Sequence, residues 1–207
     1  RLLSFDMGGT TAKACLIEDR KPTVTGLFEV DRMYRFKAGS GMPVIIPAID
    51  MIEIGAGGGS LASVDTLGLL KVGPHSAGSE PGPACYGRGG ENPAVTDADL
   101  LLGLLDADNF LGGDMKLNKA ASATAIKPLA AKLGTSVEQT ARGIFEVVNE
   151  SMAAAARAHA TDRGIDYRGM PVLAFGGAGP VHACHVAELL ESTTVIYPPL
   201  ASVLSAF

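Results

Sequence analysis

The chain has 207 residues, a formal net charge of −5 and 47% hydrophobic residues, enough for one domain with a substantial core. Its pI near 5.3 argues against a nucleic-acid-binding protein. No apolar run approaches the roughly 20 residues that cross a bilayer, and no signal peptide is recognisable. Three cysteines without a Cys-x-x-Cys spacing indicate a reducing compartment, so we expect a cytoplasmic protein without membrane or nucleic-acid partners.

Strands are predicted first along the chain. Short apolar or alternating runs at residues 2–6, 12–18 and 23–30 are separated by turn residues, and they predict an antiparallel meander. Another strand is expected at residues 44–46. Residues 55–93 hold much of the glycine and proline, so we expect an irregular segment, functional rather than idle, with disorder as the alternative.

Helical patterns follow, and a β-α-β unit ends the chain. Thr96 or Asp97 is the expected cap of the first helix. The β-α-β unit is expected to be right-handed and parallel. A meander followed by alternating helices and strands is the order of a ribonuclease-H-like domain, an α/β fold in which helices flank a mixed sheet. The predicted helices are residues 98–105, 120–133, 136–163 and 181–190, and the predicted strands are residues 172–175 and 194–197.

The turn after the first predicted strand has the composition of a phosphate site. Asp6 ends the strand, and Gly8, Gly9, Thr10 and Thr11 follow it. Glycine allows close backbone approach and positive φ, so successive N–H groups can surround an anion. The carboxylate can hold Mg²⁺ or a water, and the threonines can donate to phosphate oxygens. The turn lacks the Gly-Lys-Ser/Thr of a Walker loop, and an ordinary strand-to-turn connection is the alternative.

A second glycine-rich turn lies between a predicted strand and helix near the end of the chain. It contains Gly176, Gly177 and Gly179, followed by Pro180. Backbone without side chains can lie against a flat base or ribose, or place a helix N-terminus beside an anion. Together the two turns favour a nucleotide site over two unrelated connections.

Six short motifs lie in order along nearly the whole chain, at residues 6–13, 53–60, 72–78, 81–90, 95–99 and 175–180. In this order and spacing they resemble the hydantoinase A/5-oxoprolinase family, which includes N-methylhydantoinase A-like proteins and is related to the acetone carboxylase beta subunit. Six ordered motifs are far more specific than one glycine loop.

The resemblance implies a fold of the actin/Hsp70/sugar-kinase ATPase type. It also implies ATP-dependent ring opening of a cyclic amide such as N-methylhydantoin, hydantoin or 5-oxoproline, with ATP and Mg²⁺ as cofactors. Family members carry an upstream actin-like domain with its own Asp-Gly-Gly-Thr motif, and a second, hydantoinase B-like subunit is common. We therefore expect residues 1–207 to be one domain of a longer chain that supplies half of a nucleotide cleft and is inactive alone.

The resemblance also assigns the site residues. Asp6 is the expected catalytic and Mg²⁺-binding residue. An ATP-dependent carboxylase subunit of the same family, a sugar-kinase-like or acetate-kinase-like phosphotransferase and a non-catalytic activator ATPase remain alternatives. The expected nucleotide-binding residues are Gly8, Gly9, Thr10, Thr11, Lys13, Gly57, Gly58, Gly59, Gly176, Gly177 and Gly179.

Other polar residues have an ordinary explanation that competes with a functional one. A nucleophilic cysteine needs a neighbour that lowers its pKa, and we expect Cys85 to be a structural loop residue. His182 and His185 are spaced for one side of a helix, but zinc needs a third protein ligand, so packing is expected. Asn149 and Arg157 either reach the cleft or lie on a solvated helix face.

Overall fold

Strands occupy the first third of the chain and helices most of the remainder in the computed structural model, which describes residues 1–31, 33 and 39–206. Short 3₁₀ helices lie at Ala84–Tyr86, Leu111–Gly113 and Ala201–Ala206. In chain order the strands and α-helices are β1 (Leu2–Met7), β2 (Ala12–Glu18), β3 (Lys21–Pro22), β4 (Val24–Val30), β5 (Met42–Ile49), β6 (Met51–Ile54), β7 (Ser60–Val64), β8 (Leu70–Ser76), α1 (Val95–Leu101), α2 (Lys119–Leu133), α3 (Val137–Thr161), β9 (Val172–Phe175), α4 (Gly179–Leu189) and β10 (Val195–Ile196).

The main sheet has six strands, with β1 in the middle. On one side β1 pairs antiparallel with β2, whose far edge pairs antiparallel with both β3 and β6. On the other side β1 pairs parallel with β9, which pairs parallel with β10. Antiparallel strands followed by parallel ones in this order form the ribonuclease-H-like sheet that the element order predicts.

The predicted meander is wrong in its third strand. Strand β4 leaves the main sheet and pairs with β5 in a separate two-stranded ribbon, and β6 takes the place beside β2. Side chains on both faces of this ribbon are exposed, including Leu27, Phe28 and Ile45 at 51%, 45% and 90%. An alternating pattern identifies a strand but not its partner, because the period of two is the same in any sheet.

Residues 55–93 are more regular than the composition predicts. Strands β7 and β8 within this segment pair as an antiparallel hairpin. Gly73 and Pro74 lie inside β8 and hide its pattern, since both residues are normally depleted in strands. The expectation that glycine and proline exclude regular elements throughout this segment is therefore wrong.

The core lies between one face of the main sheet and the helices. Alternate residues of β1, Leu3, Phe5 and Met7, point into it and are almost fully buried. The long helix α3 meets them with a stripe at helical spacing, in which Ile144 and Val148 are buried. Ser136 caps the start of α3, its Oγ accepting the Gln139 N–H at 3.1 Å.

Asp97 joins the glycine- and proline-rich loop to the helices. Its buried carboxylate accepts N–H groups of Ala84, Cys85 and Ala94 at 3.1, 2.8 and 3.0 Å. The Ser122 hydroxyl of α2 donates to the same carboxylate at 2.8 Å. Helix α1 therefore begins at Val95, earlier than predicted, with Ala94 at the cap position and Asp97 bonded back to it.

We expect Asp97→Ala to destabilise the protein by about 3 kcal/mol or more, because it leaves four buried donors without an acceptor. Urea denaturation of the intact protein measures this, with the exposed Asp114→Ala as the matched control. Equal denaturation midpoints for the two variants would contradict the role given to Asp97.

Candidate functional site

Three glycine-containing turns that are distant in sequence meet at one end of the main sheet. The first glycine turn (residues 8–9) joins β1 to β2, and the second (residues 57–59) precedes β7. The third (residues 176–179) joins β9 to α4. Because β1 and β9 are parallel, the first and third turns both lie at carboxyl ends of strands, where open α/β sheets place their ligands.

Backbone hydrogen bonds hold the three turns together. Gly58 N–H donates to Gly8 O at 3.0 Å, and Gly59 N–H donates to Gly9 O at 2.7 Å. The third turn is joined to the end of β1, since Ala178 N–H donates to the Met7 carbonyl oxygen at 2.9 Å. The first glycine turn is thus bonded directly to the second, and its neighbour Met7 is bonded to the third.

Several of these glycines are required by close packing of backbone on backbone. A Cβ on Gly57 would lie 2.6 Å from both the Gly9 carbonyl carbon and the Thr10 nitrogen. Gly176 has φ +87°, which favours glycine, and a Cβ there would also overlap the Asp6 carboxylate and the Met7 carbonyl group. Glycine at these two positions is therefore needed for the turns to pack against one another and against β1.

Other glycines leave space open. A Cβ on Gly9 or on Gly177 would meet no protein atom within 4 Å, and both residues are exposed. The expectation of positive φ at Gly8 and Gly9 is wrong, since neither has φ in the left-handed region. Glycine at these positions therefore provides open space beside the backbone. It does not provide an unusual backbone angle.

Asp6 lies where the sheet meets the turns. In the sheet register, Asp6 of β1 lies directly opposite Lys13 of β2 on one side and Phe175 of β9 on the other. Partial burial raises the pKa of Asp6, and the Lys13 cation opposes this shift. Among the described residues, no protein group donates a hydrogen bond to this carboxylate, so its oxygens are free to accept one from a ligand or to bind a metal.

Lys13 links the first glycine turn to β6. Its Nζ donates to Thr11 Oγ1 at 2.6 Å and lies 3.5 Å from Glu53 Oε1. Lys13 and Glu53 are also direct partners in the β2–β6 ladder. The ammonium is thereby held beside the turn, on the side of the sheet that carries Asp6.

A groove of about 440 Å³ extends from Asp6 and Lys13 along the sheet face opposite the core. Its polar wall is Ser4, Asp6, Lys13 and Cys15, and the rest is mainly apolar. The apolar lining residues are Ile17, Pro22, Ile49, Met51, Leu173, Phe175 and Leu204.

The predicted nucleotide-binding residues separate into three groups by exposure, and Gly8, Thr11 and Lys13 form the half-buried one. Gly9, Thr10 and Gly177 are exposed and able to touch a ligand. The buried glycines of the second and third turns (Gly57, Gly58, Gly59, Gly176 and Gly179) instead support the exposed backbone.

Two hydroxyl residues that support the second turn were not predicted as site residues. Ser60 Oγ accepts the Gly57 N–H at 2.9 Å, and both the N–H and Oγ1 of Thr96 donate to Gly58 O at 2.8 Å. Ser60 directly follows the three glycines, which is the one local signal that pointed to it.

The remaining polar residues lie outside this site. Burial and the adjacent Asp97 raise the pKa of the Cys85 thiol well above its usual range, which disfavours a nucleophilic thiolate. His182 is buried in the core, whereas His185 contacts Glu146 at 2.7 Å. Within the described residues, no group of three His, Cys, Asp or Glu side chains is arranged to hold a metal.

Asn149 and Arg157 occupy neither of the two places predicted for them. Asn149 is completely buried inside the domain. Arg157 donates to the Leu189 carbonyl oxygen at 3.1 Å and pairs with Glu150, so it joins α3 to the end of α4.

Comparison with known proteins identifies the family. The family model described as hydantoinase/oxoprolinase matches residues 1–207. The chain belongs to this family. It is 41% identical over 207 residues to the caprolactamase subunit alpha of Pseudomonas jessenii, covering 100% of this chain and 28% of that subunit.

Solved structures confirm the fold prediction. This hydantoinase/oxoprolinase domain matches a nucleotide-free acetone carboxylase with TM-score 0.84 and 32% identity. It matches the ATP-dependent caprolactamase of P. jessenii with TM-score 0.82 and 39% identity. Each match covers 99% of this chain and 28% of the other. The fold is therefore the actin-like ATPase type. Separately, no helix in the described part of the chain is long and apolar enough to span a membrane.

Gly57→Ala tests whether the turns depend on backbone contact. We expect a loss of about 2 kcal/mol, because the new methyl group must displace the first glycine turn. Gly177→Ala is the matched control in the third turn and has open space around it. The free energy of unfolding of each variant measures the effect. Similar values for the two variants would show that the close approach of Gly57 to the first glycine turn is unimportant for stability.

If Asp6 has the catalytic role that the sequence predicts, Asp6→Asn should reduce ATP-dependent turnover by the intact protein about 10²-fold or more while keeping the fold. A raised pKa means that the folded state holds the proton more tightly than the unfolded state, so Asp6 lowers stability as pH rises. At neutral pH the variant should therefore be at least as stable as the wild type. This difference should shrink as pH falls towards 3.8, the ordinary pKa of the group.

Turnover by the intact protein measures the expected loss of activity. Denaturation at several pH values measures the expected difference in stability between the variant and the wild type. Normal turnover would remove Asp6 from the mechanism, and a marked loss of stability at neutral pH would contradict the assigned cost of its charge.

Proposed function

We propose that the three glycine turns bind ATP with Mg²⁺, and that this domain supplies half of the nucleotide cleft of an enzyme that opens a cyclic amide such as N-methylhydantoin, hydantoin or 5-oxoproline. The convergence of the turns beside Asp6 carries the proposal. The similarity to an ATP-dependent caprolactamase supports it, because a lactam is a cyclic amide.

The residues present fit a nucleoside triphosphate. Gly9 and Gly177 leave open space on two sides of the site, and Asp6 has carboxylate oxygens without a protein donor in the described residues. When bound, ATP would supply a phosphoryl group for the amide oxygen, which removes the resonance that protects the carbonyl from water.

Each part of the site has a separate task in this proposal. The backbone N–H of Gly9, with the hydroxyls of Thr10 and Thr11, binds phosphate oxygens. The Gly8 N–H already donates to the Thr11 carbonyl oxygen at 3.0 Å, so Gly8 shapes the turn instead. Lys13 adds a positive charge at the same place. Asp6 holds Mg²⁺ or orients the attacking water.

The third glycine turn is assigned to the adenosine. Gly176 and Gly179 position the backbone, and the exposed Gly177 lies against the base or ribose. Pro180 stands in the first turn of α4, where its missing N–H costs no helical hydrogen bond.

Two substitutions distinguish the phosphate and adenosine parts. Gly9→Val should weaken binding of both ATP and tripolyphosphate, because its side chain enters the space beside the phosphate turn. Gly177→Leu should weaken ATP binding but leave tripolyphosphate binding intact. Neither position has a left-handed φ, and a Cβ built at either one would meet no protein atom within 4 Å, so both variants should fold normally.

Calorimetric titration of the intact protein with ATP and with tripolyphosphate measures this difference, and far-UV circular dichroism checks the fold. The proposed division is wrong if Gly177→Leu binds ATP normally or loses both ligands equally.

An ATP-dependent carboxylase subunit is the second function that we consider. The match to acetone carboxylase at TM-score 0.84 supports it as strongly as the caprolactamase match supports ring opening. Product analysis of the intact protein with ATP separates the candidates. An opened lactam supports hydrolysis, a carboxylated ketone supports the carboxylase, a stable phosphorylated product indicates a kinase, and ADP with phosphate alone indicates an activator ATPase.

The proposal includes partners, namely an upstream actin-like domain of the same chain and a hydantoinase B-like subunit. The chain spans 28% of the caprolactamase subunit alpha, which leaves most of that relative outside the matched region. The exposed apolar side chains of the β4–β5 ribbon support contact with another protein surface. A cytoplasmic location remains a prediction.

A further inference from the structure

Three polar side chains meet in the core behind the glycine turns, and the proposed nucleotide site does not use them. They are Asp99 of α1, Asn149 of α3 and His182 of α4, exposed by 2%, 0% and 0%. His182 Nδ1 lies 3.2 Å from Asn149 Oδ1, and its Nε2 lies 3.2 Å from Asp99 Oδ2. The Phe145 ring stacks on the imidazole, with centroids 5.2 Å apart.

The hydrogen bonds determine where the protons are. Asn149 Nδ2 donates to the Phe145 carbonyl oxygen at 2.7 Å, so Oδ1 is the atom that faces His182, and it can only accept. On the opposite side of the ring, the Asp99 carboxylate is also an acceptor. Both bonds therefore need one proton on Nδ1 and another between Nε2 and Asp99 Oδ2.

This polar group lies one helical turn behind two of the glycine turns. Asp99 follows Thr96 by three residues, and Thr96 holds the Gly58 carbonyl oxygen of the second turn. His182 follows Gly179 of the third turn by three residues. The Asp99–His182 hydrogen bond thus joins α1 to α4 close to two contacts with glycine turns: α4 directly follows the third turn, and α1 holds the second turn through Thr96.

Stability alone does not account for this arrangement. Asp99 Oδ1 is buried without a hydrogen-bond partner in the described residues, and an incompletely bonded buried network is less favourable than an apolar core. Hydrogen bonds, unlike apolar contacts, are directional and fix the position of one helix against another.

We propose that Asp99, His182 and Asn149 form a positioning unit that fixes the third glycine turn against the second and so sets the width of the ATP site. This inference rests on the proposed function. The three residues act through the turns and do not touch the ligand.

The decisive variant replaces both polar partners with apolar side chains. The double substitution His182→Phe and Asp99→Leu removes the directional bond and the unpartnered carboxylate together, but it leaves the buried Asn149 Oδ1 without its donor, so we expect a modest loss of stability with the fold retained. ATP affinity of the intact protein should nevertheless fall about tenfold. Amide exchange at Gly58, Gly59 and Ala178 should also accelerate, because their bonds hold the turns to β1 and to the first glycine turn.

Asp99→Asn is the matched control. Its amide can donate to an unprotonated Nε2, while Nδ1–H still donates to Asn149, so both bonds survive without a charge. ATP affinity should stay within about threefold of the wild type. ¹⁵N NMR should show protons at both nitrogens of His182, or one shared with Asp99, in the wild type, and a proton on Nδ1 alone in this variant.

Different outcomes overturn different statements. If the double variant binds ATP as tightly as the wild type, the positioning role is wrong. If the wild type binds no ATP, the proposed function fails. The positioning role is then tested by amide exchange alone, and unchanged exchange in the double variant would overturn it. If the double variant does not fold, a wild-type NMR spectrum with a proton on only one nitrogen and none shared with Asp99 overturns the inference.

Discussion

The close packing of three glycine turns against one another is the constraint on which the rest of the site depends. The second turn lies so near the first that Gly57 has no room for a methyl group, and Gly176 is confined in the same way by Asp6 and Met7. Such contacts bring main-chain groups from β1, β7 and α4 to one place. A ligand at this end of the sheet therefore meets mostly backbone, which is a rigid source of hydrogen bonds for an anion.

Two carboxylates of the domain differ in the hydrogen bonds that they receive. Asp97 is fully buried, and four donors from the loop, α1 and α2 satisfy it. Asp6 is partly buried, and among the described residues only the nearby Lys13 cation offsets the cost of its charge. A carboxylate that the protein leaves without donors is poor for stability and well suited to binding a metal or water, which is the compromise typical of active sites.

Local patterns predicted much of the fold and the positions of the glycine turns. The apolar stripe and cap of α3, the strands β1 and β2 and the strand–turn–helix around Gly176 are all encoded within a few neighbouring residues. The partner of β4 was not predictable, because alternation carries no information about pairing. Gly57 could be predicted as a site residue, but its supporting role depends on Gly9, which is distant in sequence. The contact between Asp99 and His182 is equally non-local, and each residue alone is ordinary for a helix.

Three positions that break local rules bear on the proposed function. Asp6 keeps a charge that burial disfavours, Asp99 keeps an oxygen without a partner in the described residues, and the β4–β5 ribbon keeps apolar side chains in water. Sequences that specify one fold usually satisfy such groups, and exceptions mark sites that serve something other than stability. These three exceptions fall on the proposed ligand site, on the helices behind it and on a surface suited to a protein partner, whereas the buried His159 Nε2, also without a partner in the described residues, lies in the last turn of α3. Most of the core between them follows the ordinary rules, which is why the domain can tolerate all three.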